Sequence, residues 1–111
     1  MRTAVAREVS MDRQKQMIAD HFLRLAHAKE EGRKVVYTFV PGNLTELLLA
    51  FDALPVHPEI NALQAGMRKL SGEYIAEAER AGHSEDVCAY VKCDIGMMLK
   101  GNVGPTGEKL P

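Results

Sequence analysis

The stretch Lys34–Val56, KVVYTFVPGNLTELLLAFDALPV, decides the fold. Its first seven residues, Lys34 to Val40, are nearly continuous apolar, β-branched or aromatic. That pattern suits a strand buried on both faces, as in a parallel sheet. Pro41-Gly42-Asn43 then turns the chain, and Asn43 and Glu46 are spaced as a capping box opening the helix LTELLLAFDA. Leu54-Pro55-Val56 predicts a second, short strand and with it a β-α-β unit with the right-handed crossover. Pro55 lacks a ladder donor, which assigns that strand to an edge or makes Pro55 its end. The expected class is α/β, a partial Rossmann-like βαβ unit with flanking helices. Ligands of open α/β sheets bind beyond the carboxyl ends of strands, where Val40 to Thr45 lies. A helix start at Asn43 suits an anion such as a CoA phosphate, but PGN is not GxGxxG, so an ordinary βα turn is the better reading.

Outward toward the N-terminus, Met1 to Val9 show no pattern and read as a frayed lead-in. From Ser10, a candidate cap, Met11, Ile18, Phe22 and Leu25 mark one face of a helix ending near Gly32. His21 and His27 lie on it without Cys or carboxylate partners at ligand spacing, so surface histidines are the better reading. Toward the C-terminus, His57-Pro58-Glu59 leads into a helical region from about Ile60 to Ala81, which Gly66 and Ser71-Gly72 divide or kink. His57 lies beyond a strand end, where catalytic groups often sit, yet a His before Pro in a turn is more often conformational. Gly82 is the expected stop.

The stretch His83–Gly96, HSEDVCAYVKCDIG, carries both cysteines of the chain. Ser84 as N-cap, acidic Glu85 and Asp86 in the first turn, and Val87, Val91, Ile95 and Met98 at helical spacing predict a helix that stops at Gly101. Projected at about 100° per residue, Cys88 and Leu99 join the apolar face while Cys93 points away. Gly96 inside this helix implies a close neighbour or a bend. A lone Cys on an apolar face is ordinarily a small buried hydrophobe. The spacing C-x4-C is neither a zinc knuckle nor a CxxC redox pair. Residues 102–111 are turn-rich and expected to form an irregular tail; GPTGEK lacks the spacing of a phosphate loop.

The chain has 111 residues, 46% apolar and 26% charged, with a formal net charge of −1. It reads as one small soluble domain spanning residues 1–111. The charge offers no field for nucleic acid or an anionic membrane, and no stretch approaches the roughly 18 apolar residues of a bilayer span. The N-terminus lacks the apolar core of a signal peptide, and two cysteines facing opposite ways fit a reducing compartment, so a cytoplasmic location is expected.

Three runs carry a resemblance beyond composition: KVVYTFVPGN (34–43), LPVHPEINALQAGMRK (54–69) and GEYIAEAERAGHSEDVCAYVKCDIGMM (72–98). From about Met11 onward the chain resembles catalytic subunits of the 2-hydroxyacyl-CoA dehydratase and benzoyl-CoA reductase family, most closely the B-type reductase subunits. The resemblance implies the N-terminal piece of a larger domain, with residues 104–111 passing toward a next strand. It also implies a [4Fe-4S] cluster, for which the Cys of the S-x-D-x-C-x-Y-x-K/R motif, here Cys88, is a ligand. The role does not carry to Cys93.

The implied activity is reduction of the aromatic ring of benzoyl-CoA to a cyclic diene, as part of anaerobic aromatic degradation. The implied partners are the other subunits of a hetero-oligomeric reductase, including ATP-hydrolysing subunits that pass on electrons from ferredoxin, and an aromatic acyl-CoA substrate. Dehydration of a 2-hydroxyacyl-CoA thioester is the neighbouring alternative. A cluster-free docking piece is the rival from a different class, because two cysteines do not complete the four ligands of a cubane. For the isolated chain an apolar surface left exposed is expected, where further structure would pack.

Overall fold

The computed structural model describes residues 8–42, 44–105, 107 and 109–111. Among the described residues, five helices and two parallel strands make a mixed α/β structure with a βαβ unit. Strand β1 (Lys34–Tyr37) pairs in parallel with β2 (Ala53–Val56), Lys34 opposite Ala53 and Tyr37 opposite Val56. Helix α2 (Thr45–Ala50) makes the crossover, as the apolar pattern of 34–56 predicts. Pro55 lies within β2, opposite Val36.

The burial differs from expectation. It is β2 that is buried along its whole length, whereas β1 is half-buried and ends at Tyr37, three residues short of Val40. A parallel strand is buried on both faces only where other elements cover both; the end of α1 and helix α2 pack on β2, while β1 joins that core through the half-buried Val35. Asn43, half of the expected capping box, lies outside the described residues; Leu44, in the left-handed region at φ 65°, precedes α2. Leu47, Leu49 and Phe51, on α2 and just beyond it, stand exposed, as does Leu23 of the N-terminal helix.

Helix α1 (Val9–His27) begins after Glu8, so Ser10 lies inside it, and its last turn is followed by a bend to Gly32 at φ 66°. Only its C-terminal end enters the core. Leu25 and Ala28 pack with Leu54 and Val56, flanked by Phe22 and Val35, while Met11 and Ile18 of the expected face remain largely exposed.

The second core is helical. Helices α3 (Pro58–Met67), α4 (Ser71–Arg80) and α5 (Ala89–Leu99) bring together Ala62, Ala65, Cys93 and Met97, with Tyr74, Ile75 and Val103 around them. The break between α3 and α4 falls at Arg68–Leu70, with Lys69 at φ 60°, and both Gly66 and Gly72 are helical. Gly96 has the close neighbour its sequence position implies: a Cβ there would land in the backbone of Tyr74 on α4. The described residues beyond Gly101 fold back, with an isolated antiparallel bridge between Val103 and Lys109. Tyr37 donates its hydroxyl to the Pro111 carbonyl at 2.8 Å, and the Asn102 amide donates to that carbonyl at 3.0 Å.

The α4–α5 crossing generates a stability prediction. Gly96→Ala forces a methyl group into the Tyr74 main chain, which cannot rotate away as a side chain would. The variant should lose about 3 kcal/mol, the upper part of the range for overpacking, read as a lowered urea midpoint; an unchanged midpoint would contradict the crossing.

Candidate functional site

The expected rotation of α5 is overturned. The helix starts at Ala89, with Cys88 as its N-cap at φ −45° and ψ 129°, not at Ser84. Ser84 instead closes a turn ahead of the helix: its hydroxyl accepts from the Asp86 amide at 3.2 Å, and its carbonyl accepts from the Val87 amide at 3.2 Å. The buried positions of α5 are Lys92, Cys93, Gly96 and Met97, while Val87, Met98 and Leu99 are exposed. Cys88 is therefore the exposed thiol and Cys93, 1% exposed, the buried one, the reverse of the helical projection. Apolar residues of α5 itself lie on all its sides, so periodicity alone could not select the face. The small residue that admits α4 selects it.

The two sulfurs have different chemistry. Burial, followed by the neighbouring Asp94 carboxylate, pushes the Cys93 thiol up to about 11, so it stays protonated and unreactive at neutral pH. Cys88 stands at the N-terminus of an eleven-residue helix and makes no side-chain capping bond. Backbone amides at a helix start suit negative charge, including that of a thiolate-bound metal cluster. Among the described residues no group of three or more His, Cys, Asp or Glu side chains is placed to hold a metal ion. As a donor set the described residues fit a cluster only in part: they offer one accessible thiol, whereas a cubane takes four ligands.

Lys92, the K/R position of the S-x-D-x-C-x-Y-x-K/R motif, is a functional candidate to which sequence reading gave no role. Its side chain is buried, and Nζ donates to Glu79 Oε1 on α4 and to the Glu85 carbonyl, both at 2.8 Å. The signal was present as a lysine inside an otherwise apolar run, AYVKCDIGMM.

His57 occupies the N-cap of α3, just past the end of β2. Its Nδ1 lies 3.0 Å from Thr38 Oγ1 and 3.2 Å from the Thr38 carbonyl oxygen, so the ring ties the ends of the two strands together. With His21 it lines a cavity of about 260 Å³ whose apolar wall includes Phe22, Leu25, Val56 and Ile60. Burial, then the charges of His57 and Arg24, hold His21 below the usual imidazole range, against the Pro55 carbonyl, which favours the proton. His27 is exposed, its Nδ1 2.9 Å from the Leu23 carbonyl oxygen one turn back. No helix among the described residues is long and apolar enough to cross a membrane.

Two measurements check this geometry. Iodoacetamide at pH 8 should label Cys88 in the folded chain and reach Cys93 only after unfolding, as peptide mass spectrometry will show. Burial also raises the Asp94 pKa above its ordinary 3.8, so the folded state holds that proton more tightly than the unfolded chain does. The ionised carboxylate then destabilises the fold progressively as pH rises from 3.8 through the folded value. Asp94→Asn should therefore be more stable than the parent at pH 7 in urea titrations, the gain closing as the pH falls toward 3.8.

No family model matches the chain. It is 59% identical to the B-type subunit of benzoyl-CoA reductase from Thauera aromatica over 107 residues, 96% of this chain and 25% of that protein. It is 33% identical to the alpha subunit of (R)-2-hydroxyisocaproyl-CoA dehydratase of Clostridioides difficile over 87 residues, 77% of this chain and 21% of that one. The chain thus spans about a quarter of the length of the curated relatives it matches. Over that span it is a homologue of the B-type benzoyl-CoA reductase subunits and belongs to the family that these share with the 2-hydroxyacyl-CoA dehydratases.

Proposed function

We propose that this chain forms part of an iron–sulfur catalytic subunit that reduces the aromatic ring of benzoyl-CoA. The observation that carries the reading is the exposed Cys88 thiol at the start of α5, in a chain 59% identical to a benzoyl-CoA reductase subunit. Identity is much lower to the dehydratase subunit, which favours the reductase over the dehydratase reading.

In this proposal Cys88 supplies one thiolate ligand to a [4Fe-4S] cluster, and the other ligands come from outside the described residues. The cluster supplies one-electron chemistry that amino-acid side chains do not. This chain's own residues hold and shield. The α5 start offers its amide ends to negative charge, and the α3–α4–α5 core keeps the helix rigid behind the sulfur. Cys93, held protonated inside that core, is packing rather than ligand. The partners proposed are the remaining subunits of a reductase, including ATP-hydrolysing ones, and ferredoxin as the electron source.

The test compares the two cysteines. In the assembled reductase, Cys88→Ala should lose cluster iron and ring-reducing activity. Cys93→Ala should keep most of both, apart from about 1 kcal/mol of stability lost with the sulfur's packing. Loss of the cluster in Cys93→Ala alone, or unchanged iron in Cys88→Ala, would refute the assignment.

A further inference from the structure

The segment that carries Cys88 has no buried residue to hold it. No residue from Ala81 to Tyr90 is buried, and even Val87 and Tyr90 are 37% and 41% exposed, so hydrophobic burial, the usual way to fix a loop, contributes little there. The α4 exit is tied down by the Gly82 amide donating to the Glu79 carbonyl at 3.0 Å and the His83 amide to the Ala78 carbonyl at 3.1 Å. Past His83 the anchors are few, and Lys92 makes two of them. Its backbone amide donates to the Cys88 carbonyl at 3.0 Å, and its buried ammonium donates to the Glu85 carbonyl at 2.8 Å.

The second bond is the informative one. A lysine needed only to join α4 to α5 would be satisfied by Glu79, which Lys92 Nζ also reaches at 2.8 Å. The bond to Glu85 adds nothing to that helix pair. It reaches a main-chain oxygen three residues ahead of the cysteine and joins the loop to the rigid part of α5. One end of the ammonium is thereby referred to α4 and the other to the cysteine loop, while the Lys92 backbone fixes the cysteine's own carbonyl. Charge-assisted bonds of this kind are about twice as strong as neutral ones, and burial shields them from water.

We propose that Lys92 is the positioning residue for Cys88: its buried ammonium sets where the exposed loop presents the sulfur. The proposal rests on the reading of Cys88 as the presented ligand, but its test needs no cluster. In the 111-residue chain, hydrogen exchange and the alkylation rate of Cys88 are compared for the parent, Lys92→Met and Lys92→Arg, with peptide-level mass spectrometry as the readout. Lys92→Met keeps the apolar stem and removes the donor. It should raise exchange across 84–88 about tenfold, the effect of one lost charged hydrogen bond, and shift Cys88 alkylation at least about threefold by the same loss. Exchange within α3 and the protection of Cys93 should hold. Lys92→Arg, which keeps charged donors, should restore most of the parent behaviour.

If Lys92→Met leaves the 84–88 exchange and Cys88 labelling unchanged, or raises exchange equally through α3, α4 and α5, the proposal is overturned. Should Lys92→Met not fold, Glu79→Gln decides. It leaves the ammonium and its Glu85 bond in place, so 84–88 should stay protected while the α4–α5 pair weakens. Loosening of 84–88 beyond that of α4 itself would overturn the proposal. Failure of the iron test on Cys88→Ala with these exchange results intact would remove the cluster assignment and leave the Lys92 role standing.

Discussion

The crossing of α4 over α5 at Gly96 is the constraint on which the rest of the helical half depends. With no side chain at 96, the backbone at Tyr74 comes close enough that a Cβ would overlap it. That contact fixes the rotation of α5. Once Gly96 faces α4, Cys93 and Met97 pack with Ala62 and Ala65 of α3, and Lys92 lies against Glu79. The small residues Ala62, Ala65 and Ala78, all buried, let the helices approach. Cys88 escapes the stripe although it lies four residues before Lys92, because as N-cap it has left helical backbone geometry.

The fold was largely legible because two kinds of signal agreed. A continuous apolar run followed by a Pro-Gly turn located β1 and the crossover, and glycines at 82 and 101, both with positive φ, marked helix ends. What misled was hydrophobicity used as a compass in α5. The apolar residues of YVKCDIGMML offer several plausible faces, and the projection preferred the large ones. Packing preferred the small one, since a close helix crossing is decided by which residue leaves room and not by which is most apolar. Ser84 misled differently. A Ser followed by acidic residues is a good helix start, but its hydroxyl satisfied a local turn amide instead, the competition that makes such residues common in both settings.

The placement of the two cysteines was not legible in the sequence. Resemblance singled out Cys88 as the cysteine to examine, while helical projection buried it and exposed Cys93. The two errors have different sources: the helix starts after Cys88 and not at Ser84, which leaves Cys88 outside it, and the Gly96 crossing turns Cys93 into the core. The corrected arrangement suits the proposed assignment, because the thiol inside the core beside Asp94 is neither reachable nor readily ionised. Two sulfurs five residues apart thus divide into an exposed thiol and a small hydrophobe filling a helix interface.

Lys92 shows why a buried charge in this fold is better explained by specificity than by stability. Taking an ammonium out of water costs several kcal/mol, and an apolar residue of similar size would pack the same space without that cost. Glu79 is itself partly exposed, so the pair alone gains little over what each group has in water. What an apolar side chain cannot do is hold a main-chain carbonyl in an exposed loop. The Glu85 oxygen is directional and its bond is short, so the lysine converts the rigidity of α5 into a fixed path for residues that have no core of their own. A loop presenting a ligand must be accessible and still hold one geometry. Accessibility rules out hydrophobic burial as the means, which leaves a polar anchor reaching out from the core, the part that Lys92 takes.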